Sequence, residues 1–321
     1  LDVTQFFIDI FQHYSWQGLS LMLLTFTLFC VQFYYYVIAH NRIMRFRLLR
    51  EREKRRDNPP ISVIVAVRGE SERFLVDELP ALLHQEYDLY EVVVVYIGGD
   101  TDYYDELQRI RDNHSYMRLT RMGGSNERFY ISTKQALNVG IKSAQYDCLL
   151  FTIPGATPVS NEWVATMAKG FERGSVVIAP AVPNFEGNNL STYIMRMIEL
   201  NQMRNAMVCA IEGKPYYAPR SNYGFDRKLY DSERGYNYLG IDIGENDLFL
   251  QEIATAKRTS VVMSRHSIVK EERIDMVSEW KEQMRYLGYA RRHGICPFST
   301  VAHLITQLCR LLKAALPYRF V

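Results

Sequence analysis

Apolar positions along this chain follow three rhythms, and each predicts a different kind of element. The first is a solid run: residues 16–39, "WQGLSLMLLTFTLFCVQFYYYVIA", contain no charged side chain. As a helix rising 1.5 Å per residue, such a run is long enough for a hydrocarbon core of about 30 Å. Trp16 at one end and Tyr34, Tyr35 and Tyr36 near the other sit where interfacial aromatics lie. The pattern predicts a transmembrane helix over 16–40. A core helix and a cleaved signal peptide are the competing readings, but basic residues follow the apolar run and no small-residue cleavage site is evident.

The second rhythm is short and unbroken. After Pro59-Pro60 comes "ISVIVAVRG", later "YEVVVVYIGG", "YDCLLFTI" and "SVVIAPAVP". These β-branched runs do not alternate with polar residues, which predicts strands buried on both faces of a parallel sheet. "YMRLTRM" adds a further strand. Between them the third rhythm is helical: a segment around 74–84, then "DYYDELQRIRDNH", "STKQALNVGIKSAQ" and "NEWVATMAKGFER". Strands alternating with helices predict a doubly wound, mostly parallel α/β sheet. In such sheets ligands bind beyond the carboxyl ends of the strands. The places to inspect are Arg68-Gly69-Glu70, Ile97-Gly98-Gly99 and Ile153-Pro154-Gly155.

From about residue 184 the pattern is more helical, with "STYIMRMIELNQMRNAMVC" reading as one long helix. Near the C-terminus Val301, Leu304, Ile305, Leu308, Leu311 and Leu312 share one helical face opposite Arg310 and Lys313. That amphipathic helix either packs on the domain or lies on a membrane surface.

Charge changes the picture locally. Of 38 basic and 36 acidic residues, eight basic and two acidic ones fall in "RIMRFRLLREREKRR" at 42–56, leaving 30 basic against 34 acidic elsewhere. The basic run after the apolar segment predicts that the main domain is cytoplasmic. The remainder has no excess of the sign that nucleic acid requires. Composition, at 48% hydrophobic and 23% charged, is that of a folded core. The five cysteines (Cys30, Cys148, Cys209, Cys296, Cys309) form no C-x-x-C pair, so neither a zinc site nor a disulfide framework is indicated. His266 and His293 have no partners at metal-ligand spacing. No nucleophilic triad or phosphate-cradling glycine motif stands out.

Seven segments, in order over 59–292, resemble family 2 glycosyltransferases of the GT-A fold, in particular membrane-anchored bacterial members. They are "PPISVIVAVRGE", "LPALLHQEYDLYEVVVV", "TKQALNVGIKSAQYDCLLFT", "PVSNEWV", "RSNYGFDRKLYDSERGYN", "GENDLFLQEIA" and "EWKEQMRYLGYARRHG". The resemblance implies a nucleotide-sugar crevice involving Arg68, Glu70, Lys134 and Asp100, with Asn222 and Trp280 on the acceptor side. It implies an acidic motif at Glu245 and Asp247, a divalent cation held by an Asp-x-Asp turn, and a carboxylate that deprotonates the acceptor.

The sequence departs from that pattern where the chemistry resides. Ile97 falls where the family has an aspartate, with Asp100 and Asp102 on shifted positions. Ile153-Pro154-Gly155 replaces the Asp-x-Asp turn and offers no side-chain oxygen to a hard cation. Asn246, between Glu245 and Asp247, occupies the apparent base position, although a one-residue shift restores Asp247. "QMRY" is not the Gln-x-x-Arg-Trp signature of processive synthases.

Two readings follow. One is a non-catalytic glycosyltransferase-like partner or regulator in a cell-envelope glycan or other membrane assembly, with protein partners and no cofactor. The other is an active, metal-independent inverting hexosyltransferase acting on a lipid-linked or membrane-proximal acceptor. There Lys134, Arg68 or an arginine of the Arg291-Arg292 pair neutralises the diphosphate. A Mn or Mg ion enters only if a partner or a shifted carboxylate supplies ligands. The implied layout is an outer segment 1–15, a transmembrane helix 16–40, a basic juxtamembrane helix 41–58, a GT-A domain 59–296 and an amphipathic helix 297–321. The implied location is the bacterial inner membrane, single-pass, with no nucleic-acid partner.

Overall fold

The computed structural model describes residues 16–34, 37, 41, 57–123, 131–187, 189–233, 235–236, 246 and 248–273. Two compact units emerge from the chain, 1–45 with 296–321 and 46–295. In the first unit, helix α1 (Trp16–Phe33) has 18 residues, about 27 Å at 1.5 Å per residue. No helix among the described residues is long and apolar enough to cross a membrane. The transmembrane helix expected over 16–40 is described only in part, because residues 35–36 and 38–40 lie outside the described residues. The amphipathic segment 297–321 lies outside the described residues, as does most of the basic segment 41–58.

The second unit is built on a seven-stranded sheet in the order β3-β2-β1-β4-β8-β6-β9. β1 (Ile61–Arg68) pairs in parallel with β2 (Tyr90–Ile97) and with β4 (Cys148–Thr152), and β2 in parallel with β3 (Met117–Met122). β8 (Tyr223–Asp226) runs antiparallel between β4 and β6 (Val176–Ile178), and β9 (Thr259–Val261) is parallel to β6. The β-branched runs behave as the pattern predicts, with all eight residues of β2 and all five of β4 buried.

Helices cross between the strands: a π-helical turn (Phe74–Glu78) running into α2 (Leu79–Leu83), then α3 (Thr101–Asn113), α4 (Thr133–Ser143) and α5 (Trp163–Phe171). The core joins Val63, Val65 and Val94 of the sheet to Leu79, Leu107, Trp163 and Phe171 from these crossovers. α6 (Leu190–Ile211) is the long helix expected, followed by the short α7 (Arg227–Ser232) and α8 (Leu248–Ile253).

The run "SVVIAPAVP" is not one strand. Pro180 separates β6 from β7 (Ala181–Phe185), and β7 enters a second sheet of order β5-β10-β7. Proline has no N–H to continue a ladder, so the chain changes sheets there. β5 (Ala156–Pro158) pairs antiparallel, and β7 parallel, with β10 (Val269–Arg273). This small sheet begins immediately after the turn that closes β4.

A buried carboxylate anchors the opposite end of the large sheet. Glu91, 3% exposed, accepts from Ser62 Oγ at 2.6 Å and lies 2.7 Å from Arg118 Nε. With Gln145 N–H as a third donor its charge is fully compensated, as a buried carboxylate requires.

Candidate functional site

Three strand ends form the upper rim of the sheet, and each is finished differently. β4 ends in Ile153-Pro154-Gly155. Gly155 has φ +84°, in the left-handed region that glycine adopts without strain. Its N–H donates to Glu78 Oε2 at 2.9 Å, and its carbonyl accepts from Glu272 N–H at 2.7 Å. Ile153 packs against the hydrophobic core.

Glu78, at the end of the π-helical turn, is only 1% exposed. Burial pushes its carboxyl above the ordinary range, although Gly155 N–H and the Arg73 cation pull the other way. Arg73 Nε lies 3.8 Å from Glu78 Oε1, and Arg73 Nη2 lies 3.1 Å from Glu272 Oε1. Asn184 Nδ2 donates to the other oxygen of Glu272 at 2.8 Å. A carboxylate from a neighbouring element therefore locks the turn by its backbone.

These residues do not fit a divalent metal. None of the three turn side chains carries an oxygen, and the oxygens of Glu78 and Glu272 face Gly155, Arg73 and Asn184. Among the described residues no three His, Cys, Asp or Glu side chains group to hold an ion.

The end of β2 is filled. Tyr96 and Ile97 are 0% and 3% exposed. The Tyr96 ring lies 5.3 Å from that of Tyr103 and stacks on Tyr104 at 6.1 Å. Arg121 lies over the Tyr104 ring at 4.9 Å and donates to Gly99 O at 2.6 Å and Gly98 O at 3.2 Å. Asp100 caps α3, accepting from Tyr103 N–H at 2.6 Å. Burial raises the pKa of the Tyr96 hydroxyl and takes that of Tyr103 to about 12, so both stay neutral.

Between β1, β4 and α4 a small recess of about 10 Å3 remains, room for about one water molecule. Ala66 and Ile153 are among its apolar walls, and Thr133, Thr152, Arg220 and Tyr223 are its polar ones. Thr152 is 1% exposed, and among the described residues its Oγ1 has no hydrogen-bond partner. Thr133 opens α4, whose cap is a reciprocal box between Ser132 and Gln135.

The structure distributes the sequence-predicted residues unevenly. Arg68 and Lys134 both fall near the start of α4: the Arg68 guanidinium donates to Ile131 O, and Lys134 is the helix's second residue. Glu70 is exposed on the loop after β1. Asp100 is a helix cap. Asn222, expected on the acceptor side, is 0% exposed. Its Oδ1 accepts from Trp163 Nε1 at 3.0 Å, and its Nδ2 donates to Pro180 O at 2.8 Å and Ser267 O at 2.7 Å. That amide braces the fold where the chain changes sheets.

Asn246 is equally buried, donating to Ala218 O at 2.5 Å while its own carbonyl accepts from Ala218 N–H at 3.1 Å. It staples the loop that carries Arg220 two residues later. Glu245, Asp247, Trp280, Arg291 and Arg292 lie outside the described residues. Sequence reasoning missed Glu78, Thr152 and Arg220. The last two sat within segments already singled out, but nothing local marked their convergence.

No family model matches the sequence, and no curated protein matches it. Similar solved structures exist. The mannosyltransferase PcManGT from Pyrobaculum calidifontis, in complex with GDP-Man and Mn2+, aligns over 88% of this chain and 78% of its own, with a TM-score of 0.61 and 17% identity. S. aureus TarS 1-349, also solved in complex with UDP, aligns over 66% of this chain and 60% of its own, with a TM-score of 0.47 and 17% identity. At such identity the likeness is one of architecture. The chain has an α/β fold with a mostly parallel central sheet, similar in architecture to that of the mannosyltransferase PcManGT.

Proposed function

We propose that this protein is a catalytically degenerate glycosyltransferase-like component of a membrane-associated assembly, retaining a donor-type crevice without metal-dependent transfer. One observation carries the reading: the turn at the end of β4 has no oxygen-bearing side chain and is held by Glu78 through the Gly155 backbone. Pre-organised charge stabilisation is often the largest catalytic term, so a site without it loses orders of magnitude in rate. The PcManGT complex holds GDP-Man and Mn2+ on a similar fold. Transferred to this chain, the same donor would meet an apolar turn where the ion's ligands are expected.

The test is a turnover assay on the full chain with GDP-mannose and a panel of UDP-sugars, in Mn2+, in Mg2+ and in EDTA. The expected result is no nucleoside diphosphate release above buffer. Metal-stimulated release overturns the reading.

A second reading, an active metal-independent transferase, is favoured by the recess with Arg220 on its wall. Release that persists in EDTA would establish it. Membrane attachment at the cytoplasmic face is part of the proposal. It is supported by the exposed Trp16, Leu23, Phe26 and Phe29 of α1 and by the basic run that follows. Co-sedimentation with anionic vesicles tests it, and protein that stays in the supernatant refutes it.

A further inference from the structure

We propose that His84 and His114 form a two-imidazole metal site at the edge of the sheet opposite the crevice, where one Zn2+, Ni2+ or Cu2+ ion clips the end of α2 to the end of α3. The two histidines precede β2 and β3, whereas the crevice lies beyond the far ends of the strands. The inference therefore does not rest on the glycosyltransferase reading.

Both residues are helix C-caps, and the parallel pairing of β2 with β3 brings the two caps to one edge. Their ring centres are 6.1 Å apart, with the planes 80° to one another. Two metal–nitrogen bonds of about 2.0–2.1 Å, added to the radii of two imidazoles, separate ring centres by roughly 5–6.5 Å, depending on the angle at the metal. The observed spacing falls in that range.

The tautomers are set as well. His84 Nδ1 lies 2.8 Å from Pro80 O, and His114 Nδ1 lies 2.8 Å from Ile110 O. A carbonyl oxygen can only accept, so each Nδ1 carries the hydrogen and each neutral ring keeps its lone pair on Nε2. An Nδ1–H held by a backbone carbonyl is the arrangement that orients metal-ligating histidines. Among the described residues no hydrogen bond or ion pair engages either Nε2.

The supporting backbone is pinned on both sides. Leu83 O, beside His84, accepts from Tyr90 Oη at 2.5 Å and Tyr116 Oη at 2.9 Å. His114 O accepts from Met117 N–H at 2.9 Å, and the Tyr116 ring stands edge-on to His114 at 5.8 Å. Ligands held this way lose little freedom on binding. Each imidazole also stands at the C-terminal end of a helix, where the dipole favours a cation. His84 is exposed, so an ion enters from solvent and water completes its coordination. Two nitrogen donors select Zn2+, Ni2+ and Cu2+ over Mg2+ and Mn2+, which prefer oxygen.

The experiment is calorimetric titration of the metal-stripped full chain at pH 8, where protons compete little for imidazole. Zn2+, Ni2+ and Cu2+ are expected to bind, Cu2+ most tightly, and excess Mg2+ is not expected to displace them. His84→Asn and His114→Asn each offer an amide N–H to the same carbonyl but lack the second ring nitrogen. Each is expected to weaken binding at least about tenfold and to abolish the rise in Tm that Zn2+ gives the wild type. Equal melting of wild type and variants in EDTA is expected, as both variants keep the fold. His266→Asn is expected to bind like the wild type. A measurement that needs no variant is the Cu2+ electron paramagnetic resonance spectrum, in which two imidazole nitrogens are expected.

No binding by the folded wild type, affinity unchanged in both variants, or a spectrum with a single nitrogen ligand overturns the site and leaves the two histidines as helix caps. Affinity lost equally in His266→Asn also overturns it, marking general binding to surface histidines. None of these readouts involves sugar transfer, so failure of this site and failure of the non-catalytic reading are separately visible.

Discussion

The ends of β2 and β4 begin alike and finish oppositely. Both strands are fully buried and both run out into a glycine-containing turn on the same rim. At β2 the rim is plugged: Tyr96, Tyr103 and Tyr104 cluster, and Arg121 covers them while spending donors on Gly98 and Gly99. At β4 the backbone is locked from the side by Glu78, and the rim keeps a small recess beside Thr152 and Arg220. Arg121 thus finishes the wall at the β2 end, whereas Arg220 lines the recess at the β4 end.

The comparison can be broken most forcefully at Gly98. A Cβ there would stand 2.4 Å from Tyr96 Oη and 2.6 Å from its Cζ. Gly98→Val must displace the plug, and overpacking of this kind costs about 3 kcal/mol. Thermal unfolding should show a clearly lowered Tm, with increased Tyr96 accessibility.

On the β4 side, Glu78→Ala leaves Gly155 N–H without its acceptor and Arg73 with one carboxylate fewer. A loss of about 2 kcal/mol is expected in denaturant unfolding. The same residue gives a pH signature. Its folded pKa is raised above the ordinary 4.5, so the folded state holds the proton more tightly than the unfolded one. Glu78 therefore favours folding least when ionised in both states. As pH falls from above the raised value toward 4.5, stability should increase for wild type relative to Glu78→Gln. A pH-independent difference between the two would contradict that assignment.

Arg121→Ala should cost about 1 kcal/mol, the scale of a partly exposed cation–aromatic contact with its hydrogen bonds. It should also open the β2 end, detected as faster exchange of the Gly98 and Gly99 amides. The smallest effect is expected at Thr152. Replacing an unpaired buried hydroxyl with the methyl of Thr152→Val should leave stability within about 0.5 kcal/mol of wild type or raise it slightly. A large loss would mean that the hydroxyl is a structural bond donor, and the contrast between the two rims would lose its basis.

Much of this architecture was legible locally. "ISVIVAVR" and "YEVVVVYI" announce doubly buried strands because their β-branched, non-alternating side chains fit no one-sided surface. The replacement of carboxylates by Ile153-Pro154-Gly155 is likewise visible in the sequence itself, since the chemistry of a side chain does not depend on where it lies. The break at Pro180 was less legible: the apolar run continues across it, and only strand pairing assigns its halves to different sheets.

What the sequence by itself determined is the set of strands and helices and the absence of oxygen donors from one turn. Both follow from side-chain shape and periodicity within a few residues. Only the tertiary structure decided that Glu78 meets Gly155 across 77 positions. It alone set the Asn222 amide to brace Trp163 against Pro180 and Ser267, and brought Thr152 and Arg220 to one recess. Those contacts join residues remote in the chain, and their geometry follows from how the helices and the second sheet pack around the strand ends.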